Sequence, residues 1–285
     1  MDFGVASFWS GSDLSYFEHL CMKSFVDNGY KFYLFTKGDV GNIPDYVEHH
    51  DADEISSQEE ITNSDARYSN AVYSDIWRIH LIQKTDFIWV DLDVYCLRRI
   101  DYQKDYYFGM NFKKGMMSNC VLKIPSNSIA LHLVRNFLDS EVPIPFWWPR
   151  ERLMTFPDEI REGELPSLNS LPWTTTGPNV LTWDLRTTGE INFGQHYSRY
   201  WQFDAAFNCE YLDPEFDFEF ESEATRYIHL FGSTKIHLRD KFSGVPPAGS
   251  YMDKICRRQE INPKSAEIPD YTADALLTPE KKISA

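Results

Sequence analysis

Two pairs of aspartates have the D-x-D spacing that lets two carboxylates bind one divalent cation, Asp51-Ala52-Asp53 and Asp91-Leu92-Asp93. About two such triplets are expected by chance in a chain this rich in aspartate, so the surrounding sequence has to distinguish them. The first triplet lies in a polar segment and is followed by Glu54, which is typical of a solvated acidic turn. The second follows the apolar run 87–90, which is typical of a strand buried on both faces.

Asp91 and Asp93 are therefore the candidate metal ligands. Open parallel sheets bind ligands beyond the carboxyl ends of their strands, which is where these side chains are expected. Two carboxylates at such a position repel each other and lose hydration unless a cation or a base joins them. Mn²⁺ or Mg²⁺, which take oxygen ligands and also bind phosphate oxygens, fits this pair. The alternative is a turn cap, or an ion pair with Arg98 or Arg99.

A second polar pair, Asp75 and Arg78, lies on a helix predicted over 71–84. A spacing of three places both side chains on one face of the helix. An ion pair on a solvated surface is one interpretation of such a pair. The apolar residues around it favour a helix packed against the sheet, and the pair would then line the same pocket as Asp91. An aspartate accepts hydrogen bonds from sugar hydroxyls, and an arginine binds a diphosphate or a sugar oxygen.

The elements that must position these residues follow an α/β pattern. Apolar strands are predicted over 5–9 and 30–35, with a helix over 14–25 between them, capping residues at 10–13 and a stop at Asn28-Gly29. A strand, a helix and a strand in so short a span form a β-α-β unit with a parallel sheet. Further elements are predicted in later segments: strands over 47–51, 106–110 and 120–124, and a helix over 128–138.

The domain organisation follows from composition. No repeat or linker is evident, so we predict a single domain over 1–262 and a polar, peripheral tail over 263–285. The span 143–178 is rich in proline and tryptophan, which is typical of a loop-rich insert over a site. We call it the candidate acceptor cover, because it is expected to lie over the acceptor side of the site. Within it, Phe146, Trp147 and Trp148 would stack on an acceptor sugar, face a lipid carrier, or brace the long loop.

Charge and cysteine content exclude several classes of function. The net charge of −15 argues against nucleic acid as a partner, because phosphate backbones need basic patches. Five scattered cysteines without a C-x-x-C pair indicate no zinc or redox motif and a reducing compartment. No signal peptide and no apolar run of about 20 residues is present, so we expect a cytoplasmic protein without a transmembrane segment. Peripheral association with a membrane stays open.

The residues of the predicted site resemble those of a known family. The segment 71–78, which contains Ser74-Asp75 and Arg78, followed by 88–94 with its D-x-D, resembles glycosyltransferase family 32 and its D-x-D sugar-binding region. The same S-D-x-x-R signature occurs in glucosylating bacterial toxins, and residues 8–29 look like the start of capsular-polysaccharide-type members. Residues 118–122, 177–178 and 229–233 fall where related enzymes have pocket elements. Only 74–94 is specific, although the similarity extends over about the first 235 residues.

The resemblance implies a GT-A fold, with a mostly parallel sheet flanked by helices and a donor that is a UDP- or GDP-sugar. It places Asp75 and Arg78 at the donor sugar, and Asp91 and Asp93 at the ribose and the metal. In the same way it assigns two aromatic residues and one amide: His229 to the metal shell, Trp9 near the base, and Asn119 to the donor pocket. The alternatives are a core or rim tryptophan and a structural histidine.

The resemblance also implies the reaction. A sugar would pass from the nucleotide to a glycan or lipid-linked hydroxyl acceptor, as in polysaccharide biosynthesis, with retention of anomeric configuration by front-face attack. Asp75, Arg78 and Asp93 are the candidate catalytic residues. One departure is that Lys84-Thr85-Asp86-Phe87 replaces the Gly-Gly turn usual before the D-x-D strand. No acceptor motif of the family is matched, so the resemblance does not identify the acceptor.

Three other functions share parts of this pattern. A haloacid-dehalogenase-type phosphatase also has D-x-D after an apolar strand, but it requires Thr or Val where Tyr95 lies. A sugar nucleotidyltransferase requires a basic loop after its first strand, and residues 10–13 lack a basic residue. A carbohydrate- or nucleotide-binding protein without turnover would keep the same fold, because a fold does not guarantee chemistry.

Overall fold

A computed structural model describes residues 4–11, 13–57, 70–99, 105–111, 115–159, 165–194, 200–201, 210–216, 221–223 and 225–269. It contains these strands: β1 Val5–Ser10, β2 Phe32–Lys37, β3 Glu48–Asp51, β4 Ile88–Val90, β5 Val94–Cys96, β6 Tyr107–Asn111, β7 Met116–Lys123, β8 Tyr200–Trp201 and β9 Tyr227–His229. Its α-helices are α1 Tyr16–Asp27, α2 Asn70–Lys84, α3 Ile129–Leu138, α4 Arg150–Thr155, α5 Val180–Thr187, α6 Ser233–Phe242 and α7 Tyr251–Arg258.

The strands form a larger sheet with the order β3-β2-β1-β4-β7-β6 and a smaller sheet with the order β5-β9-β8. Contacts divide the chain into two compact units. The first takes the described residues of 1–51, 86–104 and 195–270, and the second takes those of 52–85 and 105–194. The division does not test the single-domain prediction for 1–262, which stays a prediction.

The first unit contains the parallel strands on which the D-x-D pair depends. β1 pairs in parallel with β2 on one side and with β4 on the other, and β2 pairs in parallel with β3. The hydroxyl of Ser7 donates to the carbonyl of Val90, which adds a side-chain bond between β1 and β4. All three residues of β4 are buried, as its apolar sequence predicts. This arrangement aligns the carboxyl ends of β1 and β4, which is the ligand-binding edge of such a sheet.

Helix α1 completes the β-α-β unit and begins later than the sequence predicts. Its N-cap is Ser15 rather than a residue of the segment 10–13. The backbone N–H of Ser15 in turn donates to the carboxylate of Glu18 at 2.9 Å. This reciprocal capping box satisfies two helix-terminal donors at once, which a lone aspartate at position 13 cannot do. The helix ends as predicted, because Asn28 is its C-cap and Gly29 has a φ of 79°.

The second unit contains α2, the antiparallel pair β6–β7, and the helices α3 to α5. The indole N–H of Trp77 donates to the carbonyl of Ala52 at 3.1 Å, and this bond fixes the buried face of α2. Ser128 caps α3, and the carboxylate of Glu190 accepts from the Ala130 amide at 2.9 Å.

The structure confirms the α/β class, with a mostly parallel sheet and flanking helices. The predicted loop-rich span 143–178 contains α4, short 3-10 turns and a π-helical turn, Thr175–Asn179. Most of the predicted tail, from residue 270 onward, lies outside the part of the chain that the structure describes.

Candidate active site

The first unit contains Asp91 directly beyond the carboxyl end of β4. Its carboxylate is half-buried, and its Oδ1 accepts a hydrogen bond from the indole Nε1 of Trp89 at 2.6 Å. This indole comes from the strand itself, since Trp89 is the middle residue of β4. The bond fixes one carboxylate oxygen at the end of the strand.

Asp93 lies two residues further, immediately before β5. Its Oδ2 accepts from the backbone amide of Gly232 at 2.7 Å, and its own carbonyl accepts from the amide of Leu230 at 2.8 Å. A Cβ on Gly232 would lie 3.7 Å from Oδ2, so the site tolerates a side chain there sterically. The two bonds join the D-x-D loop to the segment after β9. Asp93 and Gly232 are 139 residues apart in sequence.

His229 is the last residue of β9, and β9 pairs antiparallel with β5 so that Val94 and His229 face each other. The imidazole Nε2 lies 3.1 Å from Asp93 Oδ1. The ring stacks on Phe231 at a centroid distance of 4.0 Å, and Phe231 has a left-handed φ of 60°. A bulky residue rarely adopts this conformation, so the turn after β9 is held by its surroundings. It orients the imidazole towards Asp93.

The electrostatic surroundings of Asp93 favour its ionised form. Burial alone would raise the pKa of the carboxyl, but the imidazole of His229, the ammonium of Lys235 and the amide of Gly232 hold that pKa below its ordinary value. A carboxylate that stays ionised in a half-buried position is what a cation site needs.

These residues have the size and chemistry of a divalent-cation site. Asp91, Asp93 and His229 each offer one ligand atom, and the three atoms lie within 4.8 Å of one another. Ligands about 2.1 Å from a single octahedral ion stand about 3–4 Å apart, so small side-chain adjustments bring these three onto one ion. No other group of three or more such side chains in the described ranges meets the condition, and this separates Asp91-Leu92-Asp93 from Asp51-Ala52-Asp53. Oxygen and imidazole ligands together suit Mn²⁺.

Lys235, on α6, is a charged residue of this region that the sequence analysis missed. Its ammonium pairs with the carboxylate of Glu18 at 2.5 Å, and Glu18 is only 2% exposed. The same ammonium lies 5.6 Å from the ring centroid of Trp9 and 5.7 Å from that of Phe17. Trp9, at the end of β1, is thus a half-buried aromatic under a cation. No local sequence pattern marks Lys235, because its partner Glu18 lies 217 residues away in sequence.

The second unit contains a separate polar cluster around Asp75 and Arg78 of α2. Arg78 Nη2 lies 3.6 Å from Asp75 Oδ1, and Arg78 Nη1 donates to the carbonyl of Asn119 at 3.0 Å. The Asn119 amide donates to Asp75 Oδ1 at 3.3 Å, and the Thr176 hydroxyl donates to Asp75 Oδ2 at 2.7 Å. The Arg78 side chain is 7% exposed, so the solvated ion pair considered from sequence is not what the structure contains.

The pKa of Asp75 is shifted in the opposite direction from that of Asp93. Burial raises the pKa of the Asp75 carboxyl above its ordinary value, although Arg78, Thr176 and Asn119 each lower it in part. Thr176 was not predicted, because it is 101 residues from Asp75 in sequence. The prediction that Asp75, Arg78 and Asp91 line one pocket stays a prediction.

The aromatic residues proposed for the acceptor cover have two different environments. Trp147 packs edge-on against Phe137 at 5.0 Å, and Trp148 against Phe156 at 5.1 Å. Phe146 is 59% exposed and meets the ring of Trp183 at 6.3 Å. The two tryptophans brace the segment, and Phe146 is the aromatic that faces solvent.

Comparison with protein-family models finds no match for this chain, and comparison with curated proteins finds none. Among solved structures, the chain is similar to the apo form of the bifunctional glycosyltransferase WbbM, with a TM-score of 0.27, 11% identity, and coverage of 43% of this chain and 27% of that chain. It is also similar to the apo form of the glycosyltransferase GlyE of Streptococcus pneumoniae TIGR4, with a TM-score of 0.37, 12% identity, and coverage of 94% and 65%.

These two solved structures are both glycosyltransferases, and the chain spans about a quarter of one and just under two thirds of the other. At TM-scores this low, the likeness carries no argument about the activity of this chain. Within the ranges that the structure describes, no helix is both long enough and apolar enough to cross a membrane.

Proposed function

We propose that this chain is a metal-dependent glycosyltransferase that moves a sugar from a UDP- or GDP-sugar to a hydroxyl of a glycan or lipid-linked acceptor. The observation that carries the proposal is the grouping of Asp91, Asp93 and His229 beyond the carboxyl end of a buried parallel strand. Two carboxylates and an imidazole at that edge would supply the ligands for Mn²⁺ or Mg²⁺. The resemblance around Ser74 to Val94 supplies the substrate class.

The residues of the first unit would stabilise the leaving group. Transfer of a sugar passes through an oxocarbenium-like transition state, and negative charge gathers on the departing diphosphate. A bound divalent cation supplies positive charge to that diphosphate. Asp93 and His229 would hold it, and Asp91 would bind it or the ribose. Lys235 adds a fixed cation beside Asp93, and Trp9 offers an aromatic surface for the base.

The residues of the second unit would bind the donor sugar. Asp75 keeps lone pairs for sugar hydroxyls, and its side chain is 16% exposed, so the carboxylate is accessible. Arg78 holds Asp75 and the Asn119 carbonyl from the buried side. The family resemblance implies retention of configuration, and we propose front-face attack as its route because no carboxylate or hydroxyl is assigned as a nucleophile. Location in the cytoplasm, and the acceptor itself, belong to the proposal and rest on sequence alone.

The proposal is tested with a panel of UDP- and GDP-sugars incubated with the full chain and Mn²⁺. We expect release of nucleoside diphosphate from one donor, and loss of that release when a chelator is added. Asp93→Asn should reduce kcat/KM by about 100-fold or more, since it removes charge from the site that stabilises the leaving group. The matched control is Asp53→Asn, the same change in the other, exposed D-x-D triplet, which should leave turnover unchanged.

Each other outcome contradicts the proposal in a distinct way. Full metal-dependent activity in a folded Asp93→Asn variant would show that the assigned site is wrong. Phosphate release from phosphomonoesters would favour the phosphatase alternative. Metal-dependent binding of a nucleotide-sugar without turnover under any acceptor condition would favour a binding protein.

A further inference from the structure

The turn that precedes α5 has two unusual backbone features. Thr174 has a left-handed φ of 75°, which is rare for a β-branched residue, and residues Thr175–Asn179 form a π-helical turn with Pro178 inside it. Both features cost free energy and persist only when neighbouring groups enforce them. Such π-helical turns are frequent at functional sites. We call this segment, residues 174–179, the Thr176 turn.

Side-chain bonds hold the Thr176 turn in place. The amide of Asn179 donates to the hydroxyl of Thr174 at 3.0 Å, which closes the turn on itself. The hydroxyl of Thr182 donates to the carbonyl of Pro178 at 2.5 Å and accepts from the backbone amide of Met117 at 2.9 Å. The turn is therefore connected to both α5 and β7 of the second unit.

The turn delivers one hydroxyl to the Asp75 carboxylate. Thr176 is 6% exposed, and its Oγ1 lies 2.7 Å from Asp75 Oδ2. The other carboxylate oxygen, Oδ1, has the Asn119 amide at 3.3 Å and Arg78 at 3.6 Å. A hydroxyl has one proton, so Thr176 donates it to the acceptor-only carboxylate, and this fixes the plane of the carboxylate. Each oxygen of an ionised carboxylate has two lone pairs, so neither oxygen is saturated by these donors.

The next residue of the turn has no space for a side chain. A Cβ at Gly177 would lie 2.6 Å from Asn119 Nδ2 and 2.8 Å and 2.9 Å from the two Asp75 oxygens. Glycine at this position therefore allows the turn backbone to approach Asp75 and Asn119 closely. One carboxylate, that of Asp75, is thus contacted by the Thr176 hydroxyl and closely approached by the backbone at Gly177, in a turn that is strained at Thr174.

We propose that Thr176 and Gly177 are positioning residues that hold the Asp75 carboxylate in the orientation in which it accepts hydroxyls of the donor sugar. This inference rests on the proposed function and assigns the recognition of the sugar, as distinct from the nucleotide, to the Thr176 turn. Strained backbone is frequent at ligand-binding sites, and here it orients a carboxylate whose side chain is 16% exposed and so accessible to a ligand.

The test is to measure two dissociation constants by calorimetry in the presence of Mn²⁺, for the full chain and its variants. The ligands are the nucleotide-sugar selected by the donor panel, such as UDP-glucose or GDP-mannose, and the matching nucleoside diphosphate. Thr176→Val removes the hydroxyl that donates to Asp75 while nearly keeping the shape of the side chain. We therefore expect about tenfold weaker binding of the nucleotide-sugar and unchanged binding of the diphosphate. Thr176→Ser, which keeps the hydroxyl, should restore the affinity for the sugar nucleotide.

Two further variants complete the experiment. Thr187→Val makes the same change on α5, where the hydroxyl donates to the Trp183 carbonyl at 3.0 Å, and it should alter neither constant. Gly177→Ala keeps the Thr176 hydroxyl but displaces Asp75 or Asn119. It should therefore weaken binding of the sugar nucleotide and leave binding of the diphosphate unchanged. This variant provides the test if Thr176→Val does not fold.

The outcomes separate this inference from the proposed function. Equal weakening of both ligands by Thr176→Val would show a purely structural role and overturn the inference. Unchanged sugar-nucleotide affinity in Thr176→Val or in folded Gly177→Ala would also overturn it, and the proposed function would stand. If the wild-type chain bound neither ligand, the proposed function would fail and the inference with it.

Discussion

At the scale of single residues, the carboxylates of the candidate site differ in how their charge is maintained. Asp93 is surrounded by His229, Lys235 and a backbone amide, and its pKa lies below the ordinary value although burial opposes this. Asp75 has Arg78, Thr176 and Asn119, yet burial keeps its pKa above the ordinary value. The first arrangement suits a group that binds a cation, and the second suits a group that exchanges hydrogen bonds with neutral hydroxyls.

Asp184 gives a prediction about pH. This residue of α5 is 1% exposed, and neither carboxylate oxygen has a hydrogen-bond partner among the described residues. Burial raises its pKa from 3.8 to about 6. Because the folded pKa exceeds the unfolded one, ionisation opposes folding, and stability falls as the pH rises from about 4 through about 6.

Asp184→Asn removes that ionisation while nearly keeping the shape of the side chain. We expect the variant to be about 1–2 kcal/mol more stable than the wild type at pH 8, with the difference disappearing near pH 4. Urea unfolding at the two pH values measures it, with Asp240→Asn as the exposed control. A variant that is less stable than the wild type at pH 8 would contradict this account of Asp184.

Lys235 gives a prediction about the buried ion pair. Lys235→Met leaves the carboxylate of Glu18, which is 2% exposed, without its cation. Removal of one partner from a buried pair costs about 2–4 kcal/mol, because the remaining charge is uncompensated. Denaturant unfolding checks the loss, and Lys241→Met, at an exposed position of the same helix, should change stability little. Equal effects of the two substitutions would show that the Glu18 pair is not stabilising.

At the scale of secondary-structure elements, most of the site is placed by ends of strands and helices. Asp91 follows β4, His229 ends β9, and Trp9 lies near the end of β1. Helix α1 sits between β1 and β2, and its start is fixed by the reciprocal bonds of Ser15 and Glu18. Since Glu18 also pairs with Lys235, the cap of α1 is connected to the surroundings of Trp9.

Ser15→Ala tests the cap of α1. The substitution leaves the Phe17 amide without its side-chain acceptor and removes the hydroxyl that donates to Glu18 at 2.5 Å. We expect a loss of about 1–2 kcal/mol in unfolding free energy, measured by denaturant, with the unfolding slope unchanged. Ser15→Asn, which keeps a capping oxygen, should recover part of the loss. A stability equal to that of the wild type would mean that the cap contributes nothing.

The sequence predicts the elements well, because their signals are local. Apolar runs and helical spacing place β1, α2 and β4 close to their observed bounds. The start of α1 is wrong by two residues, since Ser12, Asp13 and Ser15 are all capping types and only the partner Glu18 distinguishes Ser15. The contacts of Lys235 with Trp9 and of Thr176 with Asp75 join residues far apart in sequence, so no periodic or spacing signal reports them.

At the scale of the whole molecule, the amino-acid composition says more about the chemistry of the protein than about its fold. The net charge of −15 makes a cation the natural bridge to an anionic nucleotide, as the acidic site also requires. The four cysteines within the described ranges are buried and are not joined by disulfides. Burial raises the pKa of the Cys256 thiol to about 12 and that of Cys96 well above its ordinary value. These thiols are therefore poorly reactive in the native state.

A thiol count tests this description of the native chain. Of the five cysteines in the sequence, only Cys209 lies outside the described residues. With a thiol reagent such as DTNB, we expect no more than one fast-reacting thiol in the native protein and five after denaturation without reductant. A native count of three or more would contradict the burial of the core cysteines. Fewer than five after denaturation would reveal a disulfide.

The central claim is that Asp91, Asp93 and His229 bind one divalent cation that carries the nucleotide. Titration of Mn²⁺ followed by electron paramagnetic resonance, in the presence of UDP or GDP, tests it most directly. We expect one Mn²⁺ bound per wild-type chain, at least tenfold weaker binding in Asp93→Asn and His229→Ala, and wild-type binding in Asp53→Asn. Unchanged Mn²⁺ affinity in folded Asp93→Asn and His229→Ala, or a loss caused by Asp53→Asn instead, would contradict it.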